Sequence, residues 1–592
     1  MVRLRGPSSV CLAIQFLLTL DIVVAHYPIG GIHTGVNAQS GARPARRDIL
    51  EFQNDTPSWS LYIQAMTAFQ KVPETDPLSY FQIAGIHGRP YIPWDSVPHN
   101  RLAPNIGYCT HSDVLFPTWH RPYLALFELS WNHRAYQSQQ VLAQHVQTIA
   151  ATYNSDVYTQ AANNFRIPYW DWAAIPALPP VVSDNTVQIE TPTGTQTVAN
   201  PLLLYKFQQF PLNPTWFPNG SNVGKADRDL SQDPVTLRCP DKAVQGTSQP
   251  AAVNQNLGAG GLMNMVYSVF TKSKQYYNMA TQISPGPSFE SPHGSVHVAI
   301  GGQYGHMSQL SYSAFDPIFW LHHANVDRLF AMWQAIYPNV YLQPSLEQVG
   351  TFTINQGAID TSSSPLTPFS TSDGNTAWTS DSARTTSTFG YSYSSVPDAI
   401  ITNATELAAN VTATVNALYN PKGVFTSSKV KRDQQREWSV TVQALSTALD
   451  GRYLVKVLER GNPIGSLHVL QPPVADGESK PALTFHNEFS LQQVVRDVDH
   501  SDQEAVVAYL KENLSWEVQK VRSTLLILDS VNSALFRKDG TVIPNENVLG
   551  LIVTVQDEIV THPADETQFP VYGTKTLHPE ITSGKAGGLS SS

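Results

Sequence analysis

Histidines on predicted helices constrain this chain more than any other feature of its sequence. His293 and His297 lie four residues apart in a segment that follows Ser291-Pro292, a cap-plus-proline signature of a helix start. At this spacing both imidazoles project from one face of a helix, which suits a bound metal ion. A zinc-protease motif needs glutamate directly after the first histidine, and Gly294 stands there instead. The pair therefore predicts a metal site of another kind.

A third histidine is expected from the next predicted helix, which starts at Asp316-Pro317. His322 and His323 point about 100° apart on a helix, so one of them is expected to face the same centre. Phe319 lies one turn before His323 and would pack beside its ring, which favours His323. We expect Asp327, one turn later, to accept a hydrogen bond from this ring and fix its tautomer.

The first half of the chain contains a matching set of histidines. Asp76-Pro77 predicts a helix that ends near Gly88, and the periodicity predicts another helix over 121–137. The matching set is His87, His111 and His120, with Phe116 four residues before His120 just as Phe319 precedes His323. A single histidine is more often a surface or core residue. Two sets of three on proline-capped helices indicate two metal ions held by imidazole alone.

All-nitrogen sites without a carboxylate or thiolate ligand suit copper, zinc or nickel far better than magnesium or calcium. A pair of copper ions can pass two electrons to dioxygen together, which zinc cannot do. The residues alone therefore favour a dinuclear, oxygen-handling copper site.

Length, charge and cysteine count limit the number of domains, the class of partner and the source of stability. The chain has 592 residues, which predicts two or more domains. A net charge of −10 without a long basic run argues against a nucleic-acid partner. Only Cys11, Cys109 and Cys239 are present, so no disulfide framework is expected and stability must come from a large core.

The N-terminus predicts a signal peptide over residues 1–25, with cleavage after Ala25. A membrane anchor is the alternative, but Gln15 and Asp21 interrupt a run that is short for a bilayer. No later segment is long and apolar enough to span a membrane, so a secreted product is expected. Glycosylation motifs fit this expectation; they begin at Asn54, Asn219, Asn403, Asn410 and Asn513.

The pattern along the chain predicts two folded parts. Helices separated by long loops are expected from Ser60 to Gln334, then a surface loop over 361–388 and an exposed linker over 396–436. Alternating segments such as WSVTV (438–442) and LGLIVTV (549–555) predict strands. We therefore divide the chain into a mainly α domain over 26–395 and a smaller, β-rich domain over 437–592.

Four segments carry a specific family resemblance: HGRPYIPW (87–94), YCTHSDVLFPTWHRPY (108–123), PHGSVHVAIGG (292–302) and DPIFWLHHANVDRLFAMWQ (316–334). They resemble the two copper-binding regions of the tyrosinases, the type-3 copper polyphenol oxidases. The resemblance extends over about Arg47 to Tyr393, where FGYSY is similar to the tyrosine motif that closes the family's catalytic core. It implies a four-helix-bundle dicopper core with His87, His111 and His120 at the first copper and His293, His297 and His323 at the second.

The resemblance also implies the chemistry. The family uses its copper pair and O₂ to hydroxylate monophenols ortho to the hydroxyl and to oxidise catechols to o-quinones. In this family the cysteine of the Cys-x-His motif forms a thioether with the histidine, here Cys109 with His111; a buried free thiol is the alternative. Glu290 matches a glutamate that helps position a proton-accepting water, whereas Gly294 departs from the asparagine often found after the first histidine of the second site. That departure leaves a catechol oxidase open beside a tyrosinase; an oxygen carrier is a weaker alternative.

The C-terminal part more loosely resembles the domain that covers the copper site in fungal tyrosinase proenzymes. KVKR (429–432) resembles a dibasic processing site, so cleavage after Arg432 is expected to release this lid; an ordinary solvated charge cluster is the alternative.

Overall fold

The computed structural model describes residues 27–99, 106–129, 141–219, 225–374, 376–420, 433–449, 452–470, 482–495, 498–499, 502–520, 542–563 and 565–589. The predicted signal peptide with Ala25 and the predicted cleavage site at Arg432 lie outside these residues. Within them, no helix is both long and apolar enough to cross a bilayer.

The first part of the chain is built mainly from helices. Their bounds are α1 Ile49–Phe52, α2 Thr56–Phe69, α3 Tyr80–Gly85, α4 Phe116–Glu128, α5 Leu142–Thr152, α6 Asp156–Asn163, α7 Lys225–Leu230, α8 Pro250–Gly258, α9 Leu262–Lys272, α10 Tyr276–Ala280, α11 Glu290–Gly301, α12 Ile318–Ile336 and α13 Ala404–Tyr419. Every residue of α4 and α11 is buried, as is nearly all of α12, which packs against α4 and α13. Helices buried on all sides form the centre of a large domain, which confirms the predicted α-helical body.

The helical part also contains short pairs of strands. They are β1 Ala45–Arg46, β2 Thr186–Thr191, β3 Gly194–Ala199, β4 Ser345–Leu346, β5 Ile359–Asp360, β6 Pro365–Ser370, β7 Ala377–Thr379 and β8 Ser392–Tyr393. The pairs β2–β3, β4–β5 and β6–β7 are antiparallel, whereas β1 lies parallel to β8. The FGYSY segment is thereby joined to the start of the helical body.

The C-terminal part is β-rich, as predicted. Its strands are β9 Asp433–Leu445, β10 Tyr453–Glu459, β11 Asn462–Val469, β12 Thr484–Ser490, β13 Leu514–Lys520, β14 Val542–Ile543, β15 Ile552–His562, β16 Val571–Tyr572 and β17 Thr576–Leu577, with helices α14 Gln503–Asn513 and α15 Pro579–Thr582. They form one antiparallel sheet in the order β11-β10-β13-β14 and a second in the order β12-β9-β15-β16, in which β17 also pairs with β15. Both predicted segments, WSVTV and LGLIVTV, contribute to the second sheet.

The helix starts differ from the predicted caps. The α3 helix is capped by Ser79, whose hydroxyl accepts from the Gln82 N–H at 3.1 Å, because Asp76 instead closes the preceding turn by accepting from Leu78. Likewise Phe289 and Pro317, rather than Ser291 and Asp316, occupy the cap positions of α11 and α12. The α4 helix begins before position 121, at Phe116, and ends at Glu128; residues 130–140 lie outside the described part.

The prediction of a surface loop over 361–388 is wrong. The segment contains the β6–β7 hairpin, and both Leu366 and Phe369 are fully buried. Phe369 packs on Trp119 with ring centroids 5.0 Å apart, and the Trp119 indole N–H donates to the Thr367 carbonyl at 2.7 Å. The abundant Ser and Thr concealed the few apolar side chains that hold this hairpin against α4.

The prediction of an exposed linker over 396–436 is also wrong for its middle part. The α13 helix buries Val411, Val415 and Tyr419, which recur every four residues along one face. The Tyr419 hydroxyl donates to Asp171 at 2.8 Å, so the helix is anchored to the α-helical body. Residues 421–432 lie outside the described part of the chain.

Four of the glycosylation candidates, Asn54, Asn219, Asn403 and Asn410, are exposed in the structure. Asn513 is only partly exposed, and its amide donates to the Tyr509 carbonyl while its oxygen accepts from Arg460. Modification at all five remains a prediction, and Asn513 is the least accessible of them.

Candidate metal centre

The three histidines of the first half of the chain meet in space. His87 follows the end of α3, His111 lies in the loop before α4, and His120 is on α4. The closest ring centroids are those of His87 and His111 at 5.3 Å, and the widest are those of His87 and His120 at 5.7 Å. One nitrogen of each ring lies within 4.8 Å of the others, close enough for all three to hold one ion.

The second cluster contains four histidines rather than the predicted three. His293 and His297 come from α11, and His322 and His323 come from α12, with nitrogens again within 4.8 Å of one another. The Nε2 atoms of His297 and His323 are 3.3 Å apart, a spacing compatible with two ligands of one ion.

The two clusters lie side by side. The rings of His120 and His323 stack with centroids 4.4 Å apart, and those of His111 and His293 are 5.5 Å apart. The two phenylalanines that were predicted to pack beside these rings do so. The ring of Phe116 lies 5.1 Å from that of His120, and the ring of Phe319 lies 4.1 Å from that of His323. The structure thus places the six predicted ligands in one buried centre between α4, α11 and α12.

Backbone carbonyls orient three of these rings. Nδ1 of His87 contacts the Leu310 carbonyl at 2.9 Å and Nδ1 of His120 the Phe116 carbonyl at 2.8 Å. In the second cluster, Nδ1 of His297 contacts the Met307 carbonyl at 2.7 Å. A carbonyl only accepts, so each Nδ1 carries the proton and each Nε2 lone pair is free for a metal.

Several ring nitrogens of the centre have no hydrogen-bond partner although they are buried. They are Nε2 of His87 and His120, Nδ1 of His323, and both nitrogens of His111, His293 and His322. An unpartnered buried polar atom is costly, so such a group calls for a ligand. A donor set of neutral imidazoles fits copper.

Burial keeps these imidazoles neutral. It lowers the pKa of His120 to about 3 and that of His297 to about 4, although each carbonyl contact acts in the opposite direction. Burial and the neighbouring His120 ring hold the pKa of His87 well below its usual range. The rings are therefore available as ligands without first losing a proton.

His322 is the residue that the sequence left ambiguous. It is fully buried, and its ring stacks on His293 with centroids 5.1 Å apart and lies 5.7 Å from the Trp172 ring. Adjacent residues on a helix rarely reach one centre, but α12 is so deeply buried that both rings are enclosed. The assignment of His323 as the ligand remains a prediction.

The predicted hydrogen bond between His323 and Asp327 is absent. The Asp327 carboxylate instead accepts from the Arg121 guanidinium at 2.7 Å and from the hydroxyls of Tyr391 and Tyr393 at 2.6 and 2.8 Å, and it pairs with Arg46. Buried arginines and the FGYSY tyrosines, all distant in sequence, compete successfully for this carboxylate. Asp327 therefore links β8, α4 and α12 behind the centre.

A cavity opens beside the histidines, and Glu290, Cys109 and Gly294 line it. One oxygen of Glu290 accepts from the Ser112 N–H at 2.6 Å, and the other accepts from the Gln282 N–H at 2.9 Å. Burial raises the pKa of Glu290 to about 7. A carboxyl group whose pKa burial raises toward neutrality therefore lines the cavity beside the histidines.

Comparison with known proteins decides the family. The model for the common central domain of tyrosinase matches residues 77–336, and that for the tyrosinase C-terminal domain matches residues 437–535. A tyrosinase of Podospora anserina is 35% identical over 69% of this chain and 72% of its own length. The chain belongs to the tyrosinase family. The polyphenol oxidase 3 of Agaricus bisporus is 33% identical over 59% of the chain and 60% of its own length.

Solved structures of the family share the whole architecture. A structure of latent and active mushroom tyrosinase superposes with a TM-score of 0.73 at 25% identity, covering 94% of this chain and 98% of that one. The holo-protyrosinase of Aspergillus oryzae has a TM-score of 0.67 at 19% identity, covering 93% and 97%, which shows the same fold. The chain is thus an enzyme of the copper-dependent tyrosinase and polyphenol oxidase type, and its histidine clusters are consistent with the dicopper sites of that family.

In this tyrosinase-family chain the C-terminal domain contributes a residue to the lining of the cavity. Leu470, directly after β11, lines the cavity together with His87, His111 and His293. It belongs to a small apolar cluster with Val298 and Leu310 of the helical body and Leu454 of β10. Nδ1 of His468 lies 3.0 Å from the Ser295 hydroxyl on α11, so β11 runs along the helix that carries His293 and His297.

Charged side chains also connect the C-terminal part to the helical body. Arg452 donates to the Ser308 hydroxyl and the Gln303 carbonyl of the helical body. Lys272 of α9 pairs with Glu488 and lies 3.0 Å from Glu558, both in the C-terminal sheet. Lys272 and Glu488 are largely buried, so this contact depends on both partners being present.

Proposed function

We propose that the chain is a secreted type-3 copper oxidase that uses O₂ to oxidise o-diphenols to o-quinones and to hydroxylate monophenols, in the formation of pigment or other phenolic products. The observation that carries this proposal is the pair of adjacent histidine clusters whose free nitrogens face one centre. When bound, two copper ions would supply the electrons and the Lewis acidity for the reaction with O₂. His87, His111 and His120 would hold one ion, and His293, His297 and His323 the other.

The residues around the cavity can steer a phenol. Neutral ligands leave the positive charge of the metal ions uncompensated, so a phenolate is attracted more strongly than a neutral phenol. A monophenol has a pKa near 10, so a group must take its proton. Glu290, with a pKa of about 7 and its carboxyl group at the cavity wall, can hold that proton or position the water that takes it.

Catechol oxidation without strong monophenol hydroxylation is the second candidate, and Gly294 favours it. A side chain at this position would face open space, since an added Cβ meets no atom within 4 Å outside its own helix. With glycine there, position 294 itself supplies no polar side chain to help position the proton acceptor. The proton-transfer step therefore has one partner fewer than in relatives with asparagine.

We predict that Gly294→Asn raises monophenol hydroxylation relative to catechol oxidation by about tenfold, a modest fraction of what general acid–base catalysis supplies. The ratio is measured as O₂ uptake with tyramine against L-DOPA on the processed protein. Gly294→Ala is the control, because it adds helix propensity but no polar group. Rapid hydroxylation of tyramine by the wild type after a short lag would contradict the catechol-oxidase alternative.

We further propose the thioether between Cys109 and His111. Both residues line the same cavity wall, Cys109 is buried and free of any disulfide, and neither nitrogen of His111 is engaged by a neighbour. The bond would replace the S–H of cysteine and one ring C–H of histidine, with O₂ as the oxidant. It would restrict the His111 ring to one orientation.

The thioether predicts a mass for the peptide that contains both residues. A digest of the copper-loaded protein is expected to give this peptide two hydrogens lighter than its sequence and resistant to alkylation. Protein prepared without copper serves as the control and is expected to give the full mass. Quantitative alkylation of Cys109 in the copper-loaded protein would disprove the cross-link.

We also propose that the C-terminal domain keeps the enzyme latent. The support is that Leu470 of the C-terminal domain lines the cavity, together with the similarity to a chain from the structure of latent and active mushroom tyrosinase. The contacts of Arg452 and Lys272 hold the sheet in place until the connecting segment is cut. Cleavage after Arg432 would then allow the domain to leave.

Leu470→Ala tests this latency directly. We predict that it raises catechol oxidation by the uncut protein toward the rate of the cleaved protein, because it shortens the C-terminal-domain side chain that lines the cavity. Leu454→Ala is the matched control, since Leu454 belongs to the same apolar cluster but does not line the cavity. Equal activity of intact and cleaved wild type, measured by quinone formation, would reject the lid.

A further inference from the structure

Three buried carboxylates form a cluster apart from the histidine centre. Asp113 lies just before α4, Glu347 directly follows β4, and Asp360 ends β5. Their exposed fractions are 1%, 1% and 3%. One oxygen from each lies within 4.8 Å of the other two. An acidic cluster of this kind is ordinary on a surface and unusual in an interior.

Each carboxylate has one oxygen without a hydrogen-bond partner. These oxygens are Oδ2 of Asp113, Oε2 of Glu347 and Oδ2 of Asp360, and all three are buried. The opposite oxygen of Asp113 accepts from the Leu115 N–H at 2.6 Å, and that of Glu347 accepts from the N–H groups of Val349 and Gly350. Backbone contacts therefore hold these two carboxylates in position and leave their other oxygens free for a ligand.

No described cation neutralises the cluster. Within the described ranges no Lys, Arg or His forms an ion pair with these residues, and the charges that act on Asp113 and Glu347 are those of the other acidic members. Burial raises the pKa of Glu347 to about 7. Three carboxylates packed together in an interior are costly unless a cation or protons compensate them.

We propose that Asp113, Glu347 and Asp360 bind a calcium ion. Calcium takes oxygen ligands at about 2.3–2.6 Å in flexible geometry. Oxygens on opposite sides of the ion can therefore lie up to about 5 Å apart, so three oxygens that lie within 4.8 Å of one another can reach one calcium ion. Magnesium fits three buried carboxylates less well, because it usually keeps several waters and is bound through one or two carboxylates.

The ion would connect the copper centre to the wall of the cavity. Asp113 lies two residues after His111 and three residues before the first residue of the helix that carries His120. Glu347 fixes Val349 and Gly350, and both of these residues line the cavity. Calcium would thus join the loop of the first histidine cluster to the β4–β5 hairpin and hold the cavity wall at a set distance from the histidines.

Calcium binding is measured on the copper-loaded, full-length protein, so that the histidine sites are already filled. Equilibrium dialysis against calcium at up to about 1 mM, the upper range for extracellular calcium modules, is expected to give one bound calcium per chain. The thermal unfolding temperature should rise with calcium concentration, because a ligand that binds the folded state stabilises it.

The variant Asp360→Asn identifies the site. We expect it to weaken calcium binding about tenfold or more and to abolish the calcium-dependent rise in unfolding temperature. Asp233→Asn is the matched control, because Asp233 is also fully buried with one unpartnered oxygen but stands outside the cluster. It should bind calcium as the wild type does.

Absence of bound calcium in the wild type, with an unfolding temperature that calcium does not change, would overturn the proposal and show a cluster held by protons only. Calcium binding that Asp360→Asn leaves intact would overturn it as well. Neither result depends on phenol oxidation, so failure of the calcium site is distinguishable from failure of the proposed function.

Discussion

The hydrogen bonds from three histidine rings to backbone carbonyls determine how the centre is organised. A neutral imidazole has one donor and one acceptor nitrogen, and the carbonyls of Leu310, Phe116 and Met307 each take the donor. The acceptor nitrogens are left pointing inward, where burial keeps the rings unprotonated. The surrounding structure fixes the orientation of these rings. Fully buried helices carry His120 and His297, and the turn after α11 brings the Met307 carbonyl next to the ring of His297.

Buried carboxylates hold the segments around the histidines. Asp327 joins two arginines to the tyrosines of the FGYSY motif, and so connects the closing segment to α4 and α12. Glu290 links the loop after His111 to the segment before α11 through backbone N–H groups. These carboxylates have donors for their oxygens, as buried charges require. The cluster of Asp113, Glu347 and Asp360 differs, because each of its carboxylates has one buried oxygen without such a donor.

The sequence predicted those features that depend on local spacing. Four-residue intervals and proline signatures were enough to find the six histidines and the α-helical body, and alternation was enough to find the C-terminal sheets. Prediction from the sequence failed for segments whose structure depends on long-range packing. The hairpin that holds Phe369 and the helix that buries Val415 lie in segments rich in Ser, Thr and Ala. The partners of Asp327 are likewise distant in sequence. Asp113 and Glu347 are 234 positions apart along the chain, so no spacing rule could join them.

The central claim is that six named histidines bind two copper ions, and copper content measures it most directly. The purified wild type is expected to contain two copper ions per chain and no zinc. His323→Gln should lower this content to about one ion per chain, whereas His322→Gln should leave both ions bound. A wild type with a single metal ion, or a His322→Gln variant that loses copper while His323→Gln retains it, would contradict the account.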